Sequence, residues 1–132
     1  MFNLIFKGLI LLPNILIVDD DKPTTILFEH YLKGLGNLFI AANGELAFDM
    51  INNNSYDLII MDINLRGELD GLSLTKHLRK IDRYRKIPII AVTAFGKYYK
   101  DDAFSAGCDY FLIKPFEKKD FLDLVSRTLK KD

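Results

Sequence analysis

Apolar positions along this chain follow two rhythms. Five short continuous runs, at residues 15–18, 38–41, 58–61, 89–92 and 110–113, alternate with five stretches of helical period. That alternation predicts βαβ units around a parallel sheet. Continuous rather than alternating runs predict strands buried on both faces, with helices on either side. After the first run, Phe28, Tyr31, Leu32 and Leu35 stand at i, i+3, i+4 and i+7, with Pro23 suited to the first helical turn and Gly36 to the stop. Ala47, Met50 and Ile51 repeat the pattern behind an Asn43 cap, and Leu74, Leu78 and Ile81 repeat it after Gly71, ending before Pro88. The fourth helix carries Tyr99, Ala103 and Ala106 and closes at Gly107, whose freedom at positive φ suits a helix end. The fifth buries Phe121, Leu124, Val125 and Thr128 and turns lysines outward.

Composition narrows the reading. A chain of 132 residues suits one domain, and 49% apolar with 27% charged residues is a globular balance. With 18 basic and 18 acidic side chains there is no global field to draw a nucleic-acid backbone or an anionic membrane, so direct nucleic-acid binding is not expected. Cys108 stands alone and reads as a small buried apolar residue; the missing disulfide framework fits a reducing cytoplasm. Residues 1–12 are strongly apolar but shorter than the roughly 20 residues a membrane span needs. They also lack the basic start and small-residue cleavage site of a signal peptide. Residues 1–13 are therefore read as an apolar extension and residues 14–132 as the domain, with no room after the fifth helix for an attached output domain.

In an open parallel α/β sheet, ligands bind beyond the carboxyl ends of the strands. After the first run come Asp19, Asp20 and Asp21; after the third, Asp62; after the fourth, Thr93 and Ala94; after the fifth, Lys114 and Pro115. The second offers only Ala42 and Asn43. Singly, each is an ordinary turn or strand-end residue. Together they make one site. Carboxylates brought close repel one another unless a cation or a fixed positive side chain intervenes. Hard oxygen ligands suit Mg²⁺, or Mn²⁺ in its place, between Asp20 and Asp62, with Lys114 as the second positive charge. A carboxylate so neutralised can attack phosphorus, which makes Asp62 the candidate nucleophile, Thr93 a hydroxyl donor to a phosphoryl oxygen, and Ala94 a side chain small enough to leave access open.

These residues resemble the receiver (response regulator) family over residues 14–129. Asp19 and Asp20 look like the family's acidic pair with Asp21 a variable residue behind them, Asp62 ends what looks like the phosphoacceptor strand, and Thr93-Ala94 and Lys114-Pro115-Phe116 look like the remaining signatures. The resemblance implies a flavodoxin-like doubly wound fold of five parallel strands in order 2-1-3-4-5 with five helices. It implies Mg²⁺ on Asp20, Asp62 and the Asn64 backbone carbonyl, with Asp19 acting through a water, and Pro115 as a candidate cis proline. It further implies a cytoplasmic phosphoacceptor switch rather than an enzyme, catalysing only its own phosphorylation and dephosphorylation. A sensor histidine kinase or histidine phosphotransfer protein would supply the phosphoryl group to Asp62. Thr93 would shift inward with the aromatic on the fifth strand, here Phe111, and the response would reach a downstream protein or a second copy through the face from the fourth to the fifth helix. Two departures stand out: Phe111 lacks the hydroxyl of the common Tyr, and the loop Asn64–Gly71 is long, with Arg66 where Pro is frequent.

Phe95, Tyr98 and Tyr99 read either as packing on the sheet or as an exposed aromatic patch on the switching face. His30 and His77 lie within helices away from the site edge. The alternative reading is an aspartate-nucleophile phosphatase of haloacid-dehalogenase type, disfavoured by Pro23 and by the absence of a cap domain. A flavin carrier is disfavoured by three aspartates where a phosphate loop would be, and a pseudo-receiver by the complete residue set.

Overall fold

The five apolar runs form five parallel strands, and their side chains alternate between two cores. The computed structural model describes the backbone of residues 4–6 and 9–129 and the side chains of residues 11–129. Strands β1 (Leu4–Phe6) and β2 (Leu9–Leu11) pair antiparallel as a separate ribbon. They are followed by β3 (Asn14–Val18), α1 (Lys22–Leu32), β4 (Asn37–Ala41), α2 (Gly44–Asn53), β5 (Leu58–Asp62), α3 (Gly71–Leu78), a 3₁₀ turn at Asp82–Tyr84, β6 (Ile89–Thr93), α4 (Lys100–Ala106), β7 (Tyr110–Ile113) and α5 (Lys118–Leu129). The main sheet runs β4-β3-β5-β6-β7, all parallel, which is order 2-1-3-4-5 among its own strands.

Leu16, Val18, Ile59, Met61, Ile89 and Ala91 point to one side, where α2, α3 and α4 supply Ile51, Leu74, Leu78 and Ala103. Ile15, Ile17, Leu58, Ile60, Ile90 and Val92 point to the other, against Phe28 and Leu32 of α1 and Phe121, Val125 and Leu129 of α5. Each such aliphatic side chain contributes roughly 1.5–3 kcal/mol relative to exposure. The expectation of two-faced burial holds for the three central strands and fails at the edges. Phe39 on β4 is 40% exposed, and β7 is half-buried throughout, because each has a neighbour on one side only.

Since both faces of the central strands are apolar, hydrophobic pattern does not choose their register, and polar groups at the amino edge do. Asp57 accepts from the Asn14 N–H at 2.8 Å while its own N–H donates to the Asn14 carbonyl at 2.7 Å. Asp109 brackets β6 and β7 the same way, accepting from Ile89 N–H at 2.9 Å and returning its own N–H to the Ile89 carbonyl at 2.9 Å. Arg79, following α3, donates to Asp109 at 2.8 Å and to the carbonyls of Gly107, Tyr84 and Ile87. It thus ties the end of α3 to the end of α4 and the start of β7.

Several sequence expectations shift. Helix α1 stops at Leu32, so Leu35 lies outside it. The turn residue is Gly34 at φ +79°, whereas Gly36 leaves room for the carbonyl of Pro13 and the side chain of Ile15. Helix α3 ends at Leu78, putting Ile81 ahead of the 3₁₀ turn. Asp21 caps α1 through the Thr24 N–H, the Asn43 cap is present, and Gly107 closes α4 at φ +119°. Residues 1–13, read as an apolar extension, contain the β1-β2 ribbon, and residues 1–3 and 7–8 lie outside those described.

Asp57→Ala and Asp109→Ala should each lose about 1–3 kcal/mol in chemical denaturation, the usual range for a bond to a charged group plus an orphaned amide. Asp49→Ala, on the exposed face of α2, should be neutral or slightly stabilising.

Candidate functional site

Three strands deliver charge to one end of the sheet. Asp19 follows β3, Asp62 ends β5 and Lys114 follows β7, so the parallel register carries all three to the carboxyl edge. Lys114 Nζ donates to Asp19 Oδ2 at 2.9 Å and stands 3.6 Å from Asp62 Oδ2. Asp19 is 1% exposed and Asp62 5%, so this is a buried charge cluster.

The neighbouring backbone is shaped to the cluster. The Asp21 N–H donates to Asp19 Oδ1 at 2.9 Å and the Asn64 N–H to Asp62 Oδ1 at 2.9 Å, fixing the orientation of both carboxylates. Gly71 opens α3 directly against the end of β5: a Cβ there would meet the Asp62 carbonyl oxygen at 2.3 Å and Ile63 Cα at 2.6 Å. Only glycine permits that approach. Asp70 caps α3 through the Ser73 N–H at 2.8 Å. The long loop between β5 and α3 lies against α2, with the Leu69 carbonyl where a Gly44 Cβ would be. Asp20 is more open, with its side chain 22% exposed, and accepts from the Arg66 N–H at 3.1 Å.

Burial pushes the Asp62 carboxyl up to about 6, against the Asn64 N–H that favours the charged form; the fields of Asp19 and Asp20 add to the rise and Lys114 opposes it. Burial also works against the Lys114 ammonium, but the Asp19 hydrogen bond and the charges of Asp62, Asp19 and Asp21 outweigh it and raise its pKa. Oxygen atoms of Asp19, Asp20 and Asp62 lie within 4.8 Å of one another. Three carboxylates against one half-buried lysine leave negative charge in excess, and the donors are all hard oxygens. The residues present therefore fit a small divalent cation.

Around this core stand the other sequence-selected residues. Thr93, fully buried, donates its hydroxyl to Asn64 Oδ1 and accepts from the Phe95 N–H at 3.1 Å. Ala94 is exposed beside the cleft, and the Lys114–Pro115 bond is cis. Asp20, Asp21, Asp62, Asn64, Arg66, Ala94, Phe95 and Lys114 line one cavity of about 460 Å³. Phe111 lies apart, half-buried, with its ring centroid 6.4 Å from that of Phe104. The aromatic cluster divides: Tyr99 packs on the core, while Phe95 is 62% and Tyr98 80% exposed. His77 stacks on Phe48 and meets Asn52 at 2.9 Å, and His30 is exposed. Cys108 is buried beside Thr75, and burial pushes its thiol up to about 11. In the sequence Arg66 reads only as a departure in the loop and Asn64 only as a carbonyl ligand. The spacing of Asn64 two residues beyond Asp62 was the available signal for its side chain.

A family model described as the response regulator receiver domain matches residues 15–126. The polar-differentiation response regulator DivK of Brucella anthropi is 34% identical, over 88% of this chain and 95% of its own length. A probable transcriptional regulator of Porphyra purpurea is 37% identical over 90% of this chain, which spans only 57% of that relative. The receiver domain of a sensor histidine kinase from Pseudomonas aeruginosa, solved with a magnesium ion in its active-site cleft, superposes with a TM-score of 0.82 at 30% identity, covering 91% of this chain and 99% of that one. No helix among the described residues is long and apolar enough to cross a membrane.

A carboxyl whose folded-state pKa lies above its ordinary 3.8 stabilises the fold fully below that value and loses the contribution as pH rises through about 6. Asp62→Asn carries no such group. In the presence of a chelator its stability should match the native chain near pH 4 and exceed it above pH 7 by on the order of 2–3 kcal/mol, measured by urea denaturation across that range.

Proposed function

This chain belongs to the response regulator receiver family of two-component signalling, and from that premise we propose that Asp62 accepts a phosphoryl group from a partner's phosphohistidine. The observation that carries this reading is the Asp19–Lys114–Asp62 cluster, whose Asp62 and Lys114 open with Asp20 and Asn64 into one cleft. In the transfer, an Asp62 carboxylate oxygen attacks phosphorus as the donor P–N bond breaks, and the bonding pair stays on the imidazole nitrogen. Lys114 stands within reach of the developing charge on a phosphoryl oxygen, and the Thr93 hydroxyl, buried behind the cleft and bonded to Asn64, becomes a second donor when it leaves that partner.

Asp20, Asp62 and the Asn64 backbone carbonyl would hold Mg²⁺ or Mn²⁺, with Asp19 acting through a water. Once bound, the cation supplies charge neutralisation for the carboxylates and for the transferred group. Asp62 is drawn towards its protonated form by burial, and the unprotonated form is the nucleophile, so Lys114 and the cation serve the same end. The chain acts as a cytoplasmic regulatory domain, residues 14–132, that catalyses only its own phosphorylation and dephosphorylation; residues 1–13 are an extension outside it. Its donor is a sensor histidine kinase or a histidine phosphotransfer protein.

The response travels through Thr93 to Phe111 and the face made by α4, β7 and α5. A cavity of about 400 Å³ there is lined by Lys97, Lys100, Phe104, Phe111 and Arg127 among others. This is the face offered to a downstream protein or a second copy.

Incubation with Mg²⁺ and acetyl phosphate should add one phosphoryl group by intact mass, and Asp62→Asn should take none. Beryllofluoride should shift the spectra of residues near Thr93 only when Mg²⁺ is present. No adduct together with no Mg²⁺-dependent change would sink the reading.

A further inference from the structure

Lys114 serves Asp19 and Asp62 but makes no ion pair with Asp20 among the described residues, so the third carboxylate of the cleft needs another positive group. Arg66 supplies it. Its backbone N–H donates to Asp20 Oδ2 at 3.1 Å and its guanidinium Nε lies 3.8 Å from the same oxygen. The guanidinium is 95% exposed, so it is held by charge and not by packing, and it lies in the wall of the cleft with Asp62 and Lys114.

We propose that Arg66 is the resident counter-ion of Asp20, a positioning residue that competes with the divalent cation for that carboxylate and so sets how readily the cleft loads. The proposal rests on the reading of Asp20 as a cation ligand. Arg66 neutralises Asp20 while the cation is absent, when three carboxylates share one lysine. A cation arriving at Asp20 must displace the guanidinium, which loses its partner at little cost in ordering because it is a solvated side chain. The backbone N–H remains as the fixed donor to Asp20, so side-chain substitutions test the charge alone.

The experiment is calorimetric titration of Mg²⁺ into the full chain, native and with Arg66→Gln, Arg66→Glu or Arg85→Gln. Arg85 is an exposed arginine paired with Asp82 outside the cleft, and its loss changes net charge as Arg66→Gln does. At low ionic strength Arg66→Gln should bind Mg²⁺ about 2–5-fold more tightly, the range of an exposed ion pair, and Arg66→Glu more tightly again. Arg85→Gln should bind as the native chain does. The differences should collapse near about 1 M salt, where the screening length falls to ~3 Å. Equal affinity in the native chain and both Arg66 variants, or an equal gain in Arg85→Gln, overturns the proposal while leaving the phosphoacceptor reading intact. A native chain that takes neither Mg²⁺ nor a phosphoryl group overturns both.

Discussion

The register of the parallel sheet is the constraint on which everything at its carboxyl edge depends. A strand advances about 3.3 Å per residue, so a slip of one residue between β6 and β7 would carry Lys114 that far from its partners. The 2.9 Å bond to Asp19 would be lost. In a sheet with one wet face such a slip is prohibited by the hydrophobic pattern itself, because it turns every buried side chain outward. Here β3, β5 and β6 are apolar on both faces, and that penalty is weak. The reciprocal bonds of Asn14 with Asp57 and of Ile89 with Asp109 restore it at the opposite end of the sheet. Polar groups at the amino edge thereby determine where the charges at the carboxyl edge meet.

That meeting is costly. Removing two carboxylates and an ammonium from water carries a desolvation penalty that a single ion pair does not always offset. Lys114 is well compensated, since its hydrogen bond to Asp19 and the charges of Asp62, Asp19 and Asp21 outweigh its burial. Asp62 is not, and burial raises its pKa to about 6. Burial of this kind weakens the fold wherever Asp62 is ionised, which accords with the proposed reading of a cleft that receives positive charge and then a phosphoryl group. A sheet built only for stability would place a neutral residue at the end of β5.

Much of this was legible in the sequence, for a physical reason. Short runs such as those around Ile17, Ile60 and Ile90 cannot be helices of useful length, and their alternation with amphipathic stretches leaves few topologies. Once the strands were placed, reading the residue after each one assembled Asp19, Asp20, Asp62, Thr93 and Lys114 on one edge, where the structure places them. What was hidden depends on contacts between segments far apart in sequence. Gly34 rather than Gly36 takes the left-handed turn because Gly36 is occupied by its approach to Pro13 and Ile15. Arg79 reads as a solvated helix residue until its bonds to Gly107, Tyr84, Ile87 and Asp109 are seen. The exposure of Phe39 follows from β4 being an edge, which local pattern does not encode.

The least legible feature bears most directly on how the proposed switch operates. A hydroxyl carries one proton to donate. The Thr93 hydroxyl gives its proton to the Asn64 side chain, while the Asn64 N–H holds Asp62 at 2.9 Å. On the proposed reading, a phosphoryl oxygen on Asp62 and the Asn64 carboxamide compete for that single proton, so Thr93 can serve one only by leaving the other. The Thr93 hydroxyl oxygen accepts the Phe95 N–H at 3.1 Å, at the start of the segment that carries the exposed rings of Phe95 and Tyr98 towards α4. On that reading, motion of one buried hydroxyl would pull on the backbone beneath an exposed aromatic surface. On the same reading Phe111 would follow by changing its burial alone, since a ring without a hydroxyl has no hydrogen bond to break.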